Sequence, residues 1–415
     1  MTEDFHTFAH MSGGLSTFNI ADGFCEALVR GYRSGFLKDE DYAAVCGSET
    51  LEDVKLYLQE TDYNQFLADE TGDINAKVIG RKAEEKLVAE FNFLRSQSSG
   101  TLTRFLDFIA ADYMIENVLL MMKGAMNGRN AEELQAELHP LGEFPPTVTK
   151  IICGSGDGGG GSAGGGGELD MEMIQAVLLE TAVGGYFATY LEDTRTEGES
   201  LPDSLRGTMK DIDPEMINFS VRKLYLEDFY QFVLAVGGET REVMGQLLEA
   251  EADRLSISLT LNMTRNELIK QSPNWGEMRS KRALLYPALG KLYPEGTVYH
   301  EDIRNLAMVG SSDDPHIEEL GNALKPYPDY KAMWEEARDS DLETLQTRRM
   351  IHMLELAMDS QMHYGCFYAY VKLKEQEIRN LKYISECILQ NQKALIDDYI
   401  PVFSEREAKS RRARS

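Results

Sequence analysis

The sequence predicts an all-α fold, and two observations support this. Apolar residues recur at steps of three and four along most of the chain, which is the period of a helix with one buried face. Sustained alternation of apolar and polar residues, which would indicate half-buried strands, is scarce, and we find no convincing strand pair. A content of 43% hydrophobic and 27% charged residues is ordinary for a folded protein.

The clearest predicted helices lie in two segments. In residues 104–124 (RFLDFIAADYMIENVLLMMKG) apolar residues follow the helical period, and Gly124 lies where we expect that helix to end. Residues 224–236 repeat the pattern before Gly237 and Gly238, a pair that predicts a break between helices.

Three segments share a local pattern, and they begin at Leu51 (LEDVKLYLQETDYNQF), Met171 (MEMIQAVLLETAVGGYF) and Ile317 (IEELGNALKPYPDYKAMW). Each has apolar residues at its first, fourth and eighth positions, which share one face of a helix, and aromatic residues follow. AEELQAEL at Ala131 has the same pattern without the aromatic residues. The pattern predicts three related helical units arranged as a pseudo-threefold repeat, which superposition of the three segments would test.

Three pieces of the chain differ from a predicted helical core at residues 18–403. An N-terminal extension occupies residues 1–17. Residues 154–167 hold ten glycines in fourteen positions and lack the lysine of a phosphate-binding loop, so we interpret them as a flexible insertion. A basic tail, residues 404–415, has no apolar periodicity and is expected to be disordered.

Charge and composition limit the classes of partner. The chain has 42 Lys and Arg against 69 Asp and Glu, a net charge of −27, which argues against nucleic acid or anionic lipid as the main partner. No apolar run approaches the length of a membrane span, and the first residues do not resemble a signal peptide. Five scattered cysteines without a C-x-x-C motif are typical of a reduced, intracellular protein.

A block of mixed charge, Lys372–Arg379, stands out near the C-terminus. Helical spacing allows Lys372 to pair with Glu375 and Glu375 to pair with Arg379 along one face. We interpret the block as a solvated helix face with internal ion pairs, and a contact face for another subunit is the alternative. A catalytic role is not favoured, because nothing nucleophilic or metal-binding stands beside it.

The acidic motif EAEADR (residues 249–254) raises the possibility of a metal site. Only Glu249 and Asp253 share a helix face, and no histidine is nearby. Arg254 is better suited to neutralise a buried carboxylate, so structural pairing is favoured over metal binding.

The histidines and the known motifs give no catalytic site. His6 and His10 have metal-ligand spacing but lack the H-E-x-x-H context, and His363 precedes aromatic residues and is expected to be packed or hydrogen-bonded. Nucleophile and dinucleotide signatures are missing. The sequence therefore predicts no catalytic residues, no cofactor, no metal and no small-molecule substrate.

Several stretches together resemble the d subunits of V-type proton-pumping ATPases. In family order they are FNIADGFCEALVRGYRSGFL, ETLEDVKLYLQETDY, FLDFIAADYMIENVLLMMKG, HPLGEF, EAEADR, GKLYPEG, YPDYKAMW, FYAYVKLKEQEIRN and DDYIPVF. They run from about Phe18 to Phe403, and VKLKEQE-x-RN and LYPEG are the most specific. The N-terminal extension, the glycine insertion, the basic tail and a long segment at 194–210 depart from the family pattern.

The resemblance implies an all-helical, three-part, funnel-like protein, similar to the C subunits of archaeal-type ATPases. Such a protein is a non-catalytic peripheral component on the cytoplasmic face of vacuolar membranes and other endomembranes. Its partners are the proteolipid ring and the central-stalk subunits, which it couples during ATP-driven proton transport and organelle acidification.

Interface candidates are the LYPEG turn and the polar face of the charged block: Leu292, Tyr293, Pro294, Glu295, Gly296, Lys372, Glu375 and Arg379. Proline and glycine stiffen and shape the turn. Two alternatives remain open. A soluble helical adaptor of another complex would share the fold, and a metal-dependent enzyme using EAEADR would bind a divalent ion.

Overall fold

The computed structural model describes residues 15–64, 74–126, 129, 131–142, 144, 181–194, 214–265, 282–290, 292, 309, 316–336 and 342–403. These residues form helices, short 3₁₀ turns and connecting segments, and none of them lies in a strand. The all-α prediction is confirmed. In the same described residues, no helix is both long enough and apolar enough to cross a bilayer.

The α-helices, numbered in chain order, are α1 (Leu15–Arg33), α2 (Asp39–Gly47), α3 (Leu51–Leu58), α4 (Ala76–Gln97), α5 (Gly100–Met126), α6 (Ala131–Gln135), α7 (Gly184–Thr194), α8 (Pro214–Val236), α9 (Gly238–Arg265), α10 (His316–Leu324), α11 (Pro328–Glu336), α12 (Leu342–Asp359) and α13 (Gly365–Leu389). Single 3₁₀ turns lie at Pro140–Gly142, Ala283–Leu285 and Ile396–Asp398.

The chain forms two compact units. Unit 1 comprises Met1–Leu106, Ala235–Leu247 and Glu343–Ser415, and unit 2 comprises Asp107–Leu234 and Leu248–Leu342. Unit 1 is therefore assembled from three separate stretches of sequence that include both termini.

In unit 1, helix α13 is buried along most of its length and contacts α1, α2, α3 and, most extensively, α4. Gly80 allows α4 to approach α13 closely, because a Cβ atom there would lie 2.1 Å from Cε of Lys382. The Lys382 side chain crosses this glycine and pairs with Glu84 on the next turn of α4. A helix buried on nearly all sides marks the centre of a core.

In unit 2, α5 and α8 are joined by aromatic and ionic contacts. The rings of Phe108 and Phe229 stack with centroids 4.8 Å apart. Arg222 on α8 pairs with Asp112 at 3.0 Å and with Glu116 at 2.7 Å. The two carboxylates outweigh the cost of burying the guanidinium and raise the pKa of Arg222 further above its usual value.

The two predicted helix ends have different outcomes. The break at Gly237–Gly238 is confirmed: α8 ends at Val236, and both glycines have positive φ angles of 72° and 56°. The predicted end at Gly124 is wrong, because α5 continues to Met126. A Cβ atom at Gly124 would lie 2.3 Å from Cδ1 of Leu134, so this glycine serves close packing against α6.

Two copies of the predicted repeat fall on described helices. Val54 and Leu58 of α3 are fully buried, as are Leu320 and Leu324 of α10, so the fourth and eighth positions pack as expected. Residues 171–180, which hold the first, fourth and eighth positions of the copy at Met171, lie outside the described residues, and the threefold repeat stays a prediction.

The structure describes both ends of the predicted helical core, residues 18–403. Helix α1 begins at Leu15, three residues before the predicted start of the core at Phe18. At the other end, the Phe403 backbone N–H donates to Glu355 at 2.7 Å. Residues 154–167 and 404–415 lie outside the described residues.

Candidate functional site

The charged block of α13 divides into a buried side and an exposed side. Lys374 and Glu377 have side chains that are 1% and 0% exposed, whereas Arg379 is exposed and Lys372 and Glu375 are half-buried. The prediction of a solvated face is therefore right for the outer side only. The inner side places a lysine and a glutamate in the core.

The buried Glu377 carboxylate is satisfied by three donors. Lys374 Nζ donates to its Oε1 atom at 2.6 Å, and the Tyr63 hydroxyl donates to the same oxygen at 2.7 Å. The Leu37 backbone N–H donates to Oε2 at 2.6 Å. A buried charge is tolerated when it is both paired and hydrogen-bonded, and this glutamate meets both conditions.

The lysine of the pair is enclosed by aromatic rings. Lys374 Nζ lies 4.8 Å from the ring centroid of Phe36 and 4.6 Å from that of Tyr63. The Gly35 carbonyl accepts a longer hydrogen bond from Nζ at 3.4 Å. Cation–π contacts are strongest where water is excluded, so these rings offset part of the cost of burying the ammonium group.

This buried environment suppresses acid–base reactivity. Burial, followed by the negative charge of Glu377, raises the pKa of Tyr63 well above its usual value. Tyr63 therefore remains a hydroxyl donor at neutral pH. The side chains of Lys374, Glu377 and Tyr63 are enclosed and bonded to one another, which indicates a structural role.

One turn further along α13, Asn380 forms a second polar junction. Its Nδ2 atom donates to the Ile400 carbonyl at 2.6 Å and to the Tyr42 hydroxyl at 3.2 Å. Its Oδ1 atom accepts from Gln376 Nε2 at 2.9 Å and from the Ile400 backbone N–H at 3.3 Å. Together, the two junctions use KLKEQEIRN to bind α13 to the N-terminal part of unit 1, at Leu37, Tyr42 and Tyr63, and to its C-terminal segment at Ile400.

The sequence contained a signal for these residues that the initial interpretation missed. Lys374 lies seven residues after Phe367 and seven before Leu381, and both of these are buried. The helical period therefore places Lys374 on the apolar face of α13, and Glu377 is one turn away on the same face. Polar residues at core positions indicate a buried network.

On the outer side of α13, one of the two predicted ion pairs forms. Lys372 Nζ lies 3.2 Å from Glu375 Oε2. The predicted Glu375–Arg379 pair is wrong: it is not among the ion pairs of the described residues, because Glu375 turns to Lys372 and Arg379 lies exposed. An exposed arginine and a half-buried pair remain available to a partner.

The EAEADR motif is structural. Asp253 is buried and accepts from the Leu292 backbone N–H at 3.0 Å and from the Tyr330 hydroxyl at 2.5 Å. Arg254 pairs with the half-buried Glu251, so the predicted structural pairing forms within the motif. Among the described residues, no group of three His, Cys, Asp or Glu is arranged to hold a metal ion.

The start of the LYPEG turn is fixed by this aspartate. Leu292 is buried, so its side chain anchors the turn within unit 2 instead of offering a contact surface. Gly290 has a φ angle of 99°, and a Cβ atom there would lie 2.5 Å from Asp253 Oδ1. Tyr293, Pro294, Glu295 and Gly296 lie outside the described residues.

The predicted packing of His363 is confirmed. The side chain is fully buried, and its Nε2 atom lies 2.9 Å from the Ser360 hydroxyl. Burial lowers the pKa of His363 to about 4, so the imidazole is neutral at physiological pH. His6 and His10 lie outside the described residues.

Comparison with known proteins gives matches along almost the whole chain. The ATP synthase (C/AC39) subunit family matches residues 25–157 and 168–399, and the gap between these stretches falls inside the glycine-rich segment. The d subunit of the V-type proton ATPase of Dictyostelium discoideum is 35% identical over 394 residues, covering 94% of this chain and 98% of the relative.

Two further relatives match this chain to different extents. The V-type proton ATPase d subunit of Saccharomyces cerevisiae is 34% identical and covers 93% of this chain and 99% of its own length. The C subunit of the A-type ATP synthase of Methanocaldococcus jannaschii is 24% identical over 206 residues, or 46% of this chain and 51% of its own. The chain belongs to the ATP synthase (C/AC39) subunit family, the family of the V-type proton ATPase d subunits.

Proposed function

We propose that the chain is a non-catalytic subunit of a V-type proton-transporting ATPase that couples the central-stalk rotor to the proteolipid ring. Similarity to d subunits over more than nine-tenths of both chains carries this proposal. In this role the protein contributes shape and stiffness, while ATP hydrolysis and proton transfer belong to other subunits. It acts as a peripheral protein on the cytoplasmic face of an acidifying endomembrane.

The packing of unit 1 suits a mechanical part. The motif KLKEQEIRN joins α13 to other segments of unit 1 through buried hydrogen bonds of Glu377 and Asn380. Close-packed interiors transmit strain with little deformation, and a satisfied polar network favours one arrangement over its competitors. Torque is transmitted well by a body of this kind.

The interface candidates change in light of the structure. Leu292 serves as an anchor, so the contact surface of the turn is expected at Tyr293, Pro294, Glu295 and Gly296. On α13, Arg379 is the exposed candidate, and the Lys372–Glu375 ion pair precedes it on the same side of the helix.

Purification from native membranes tests the proposal. The full chain carries an affinity tag and is isolated in a mild detergent, and the bound proteins are identified by mass spectrometry. We expect proteolipid, central-stalk and catalytic ATPase subunits in the same particle, and no ATP turnover by the isolated chain. Recovery in a complex without pump subunits would favour the helical-adaptor alternative instead.

A further inference from the structure

The outer face of α3 combines exposed carboxylates with an exposed leucine. Leu56 is 62% exposed. Glu52 lies one turn before it, and Glu60 follows four residues after it in the turn that ends the helix. Both glutamates are exposed, as is Glu49 just before the helix. We call these four residues the α3 face (Glu49, Glu52, Leu56, Glu60).

The inner face of α3 fixes the orientation of the helix. Leu51, Val54 and Leu58 are buried, and α3 contacts both α2 and α13. The first turn is capped by Thr50, whose hydroxyl oxygen accepts from the Asp53 backbone N–H at 3.2 Å. The helix cannot turn the α3 face inward without exposing its three apolar residues, so the exposure of this face belongs to the folded unit.

The segment that carries the α3 face has an excess of negative charge. Residues 38–64 hold eight acidic and two basic residues. One of the acidic side chains, Asp41, is engaged: it accepts from the Lys38 backbone N–H at 2.7 Å and from the Tyr57 hydroxyl at 2.8 Å. Among the described residues, the three glutamates of the α3 face form no ion pair. Their charge is therefore available to a basic partner.

A partner with the complementary charge belongs to the same chain. The basic tail, residues 404–415, holds five basic and two acidic residues in a chain whose net charge is −27. Three of the basic residues are arginines close together: Arg411, Arg412 and Arg414. An arginine packs its aliphatic stem on apolar surface while its guanidinium group binds a carboxylate, so arginines suit a leucine surrounded by glutamates.

The tail begins beside the helices that carry this face. Tyr399 stacks on Tyr42 of α2 with ring centroids 4.8 Å apart. The Phe403 ring meets that of Phe36, three residues before α2, at 5.3 Å. Helix α2, which leads to α3, is about 14 Å long. The twelve residues beyond Phe403 span up to about 40 Å when extended, so the tail reaches the α3 face.

Other occupants of the α3 face compete poorly with the tail. A segment tethered this closely has an effective concentration on the order of millimolar, so a separate basic protein must bind far more tightly to displace it. A second copy would bring another acidic face against this one, and like charges repel. Nucleic acid and anionic lipid are repelled for the same reason.

We propose that the basic tail folds back on its own chain and covers the α3 face. Its arginines pair with Glu49, Glu52 and Glu60, and their stems pack across Leu56. The proposal is independent of the proposed function, because it concerns a cover that the chain itself supplies. A basic partner of α3 gains access only by displacing the tail.

Intramolecular crosslinking tests the contact. The full chain carries a photoreactive phenylalanine analogue at position 413, between Arg412 and Arg414, and is irradiated in dilute solution. Mass spectrometry maps the adduct, and a mixture of isotope-labelled and unlabelled chains shows whether both ends belong to one chain. We expect an adduct within one chain at α3, with at least tenfold less of it in about 1 M salt, because salt screens exposed charges. An adduct at another surface, an adduct between two chains or no adduct would overturn the proposal.

Charge reversal on α3 provides a matched comparison. Glu49→Lys combined with Glu60→Lys is expected to reduce the yield of the α3 adduct at least tenfold. The two positions lie before and after the helix, so its own residues stay unchanged. Glu239→Lys combined with Glu242→Lys, at exposed glutamates of α9 in unit 1, should leave the yield unchanged. Equal yields from both double variants would overturn the proposal.

Reversal on both sides shows whether the charges meet. Arg411→Glu combined with Arg412→Glu should also reduce the yield at least tenfold, and joining these substitutions to Glu49→Lys and Glu60→Lys should restore it. Urea denaturation of each variant shows that it is folded. If the tail reversal alone leaves the yield unchanged, or if the fourfold variant recovers none of it, arginines and glutamates are not paired and the proposal is wrong.

Discussion

At the scale of single residues, the Lys374–Glu377 pair has the largest expected effect on stability. Lys374→Ala leaves the buried Glu377 carboxylate without its counter-charge, and we expect a loss of about 3–5 kcal/mol in the free energy of unfolding. Lys372→Ala removes a half-buried partner of Glu375 and should cost no more than about 1 kcal/mol. Urea denaturation of both full-length variants measures the two losses in the free energy of unfolding. Equal losses would show that burial of the Lys374–Glu377 pair does not make it more important for stability than the outer pair.

His363 gives a residue-scale prediction for pH dependence. Its pKa is lowered to about 4 by burial, against 6.5 in the unfolded chain. Between these values the unfolded state binds a proton that the folded state does not, so stability falls as the pH drops from 6.5 to 4. The neighbouring Glu26 favours the charged form of His363 and Arg30 opposes it, but burial dominates.

The expected contribution of His363 is about 3 kcal/mol of lost stability by pH 4. His363→Gln should remove this part of the pH dependence, while His352→Gln, at a histidine whose side chain is 39% exposed, should leave it in place. Urea denaturation at several pH values between 7 and 4 measures both slopes. A His363→Gln variant with the same slope as the unmodified protein would contradict the assignment.

At the scale of helices, Gly124 controls the packing of α5 against α6. Gly124→Ala places a Cβ atom 2.3 Å from Cδ1 of the buried Leu134, and we expect a loss of about 1–3 kcal/mol from overpacking. Gly185→Ala, where a Cβ atom meets nothing within 4 Å, should be neutral or stabilising by up to about 1 kcal/mol. Thermal denaturation compares the two variants. If the clash is the cause, Gly124→Ala should cost less stability in a chain that also carries Leu134→Ala. An equal cost with and without Leu134→Ala would show that the clash is not the cause.

Helical periodicity was enough to predict the helices but not their partners. The spacing in residues 104–124 and the Gly237–Gly238 break gave the correct element type, because both signals are local. A glycine can end a helix or allow two helices to pack closely, and the sequence alone does not say which. At Gly124 it is the contact with α6 that identifies close packing. Two of the three donors to Glu377 are Leu37 and Tyr63, more than 300 residues earlier in the chain, and no local pattern indicates them.

At the scale of the whole molecule, the outer charges of α13 should affect assembly more than folding. Lys372→Glu combined with Glu375→Lys keeps the internal ion pair and reverses its direction, and Arg379→Glu adds a reversal at an exposed position. We expect this triple variant to change the free energy of unfolding by less than about 1 kcal/mol, because the half-buried ion pair is kept and Arg379 is exposed. Recovery of pump subunits from native membranes should fall.

A matched measurement distinguishes the two roles of this face. If the triple variant unfolds at a markedly lower urea concentration, the outer face is part of the fold. If both stability and recovery are unchanged, the face is simply solvated, as the helical pattern first indicated. The resemblance to d subunits, which the family match confirms, could not decide this, because interface contacts depend on partners outside the chain.

The order in which unit 1 acquires its pieces has a consequence for biosynthesis. Its central helix, α13, lies near the end of the chain, while the helices that surround it are made first. During translation, the early helices leave the ribosome long before the segment that neutralises and covers them. Folding of this unit therefore waits until α13 has been synthesised, and a chain that ends before α13 cannot complete the core of unit 1.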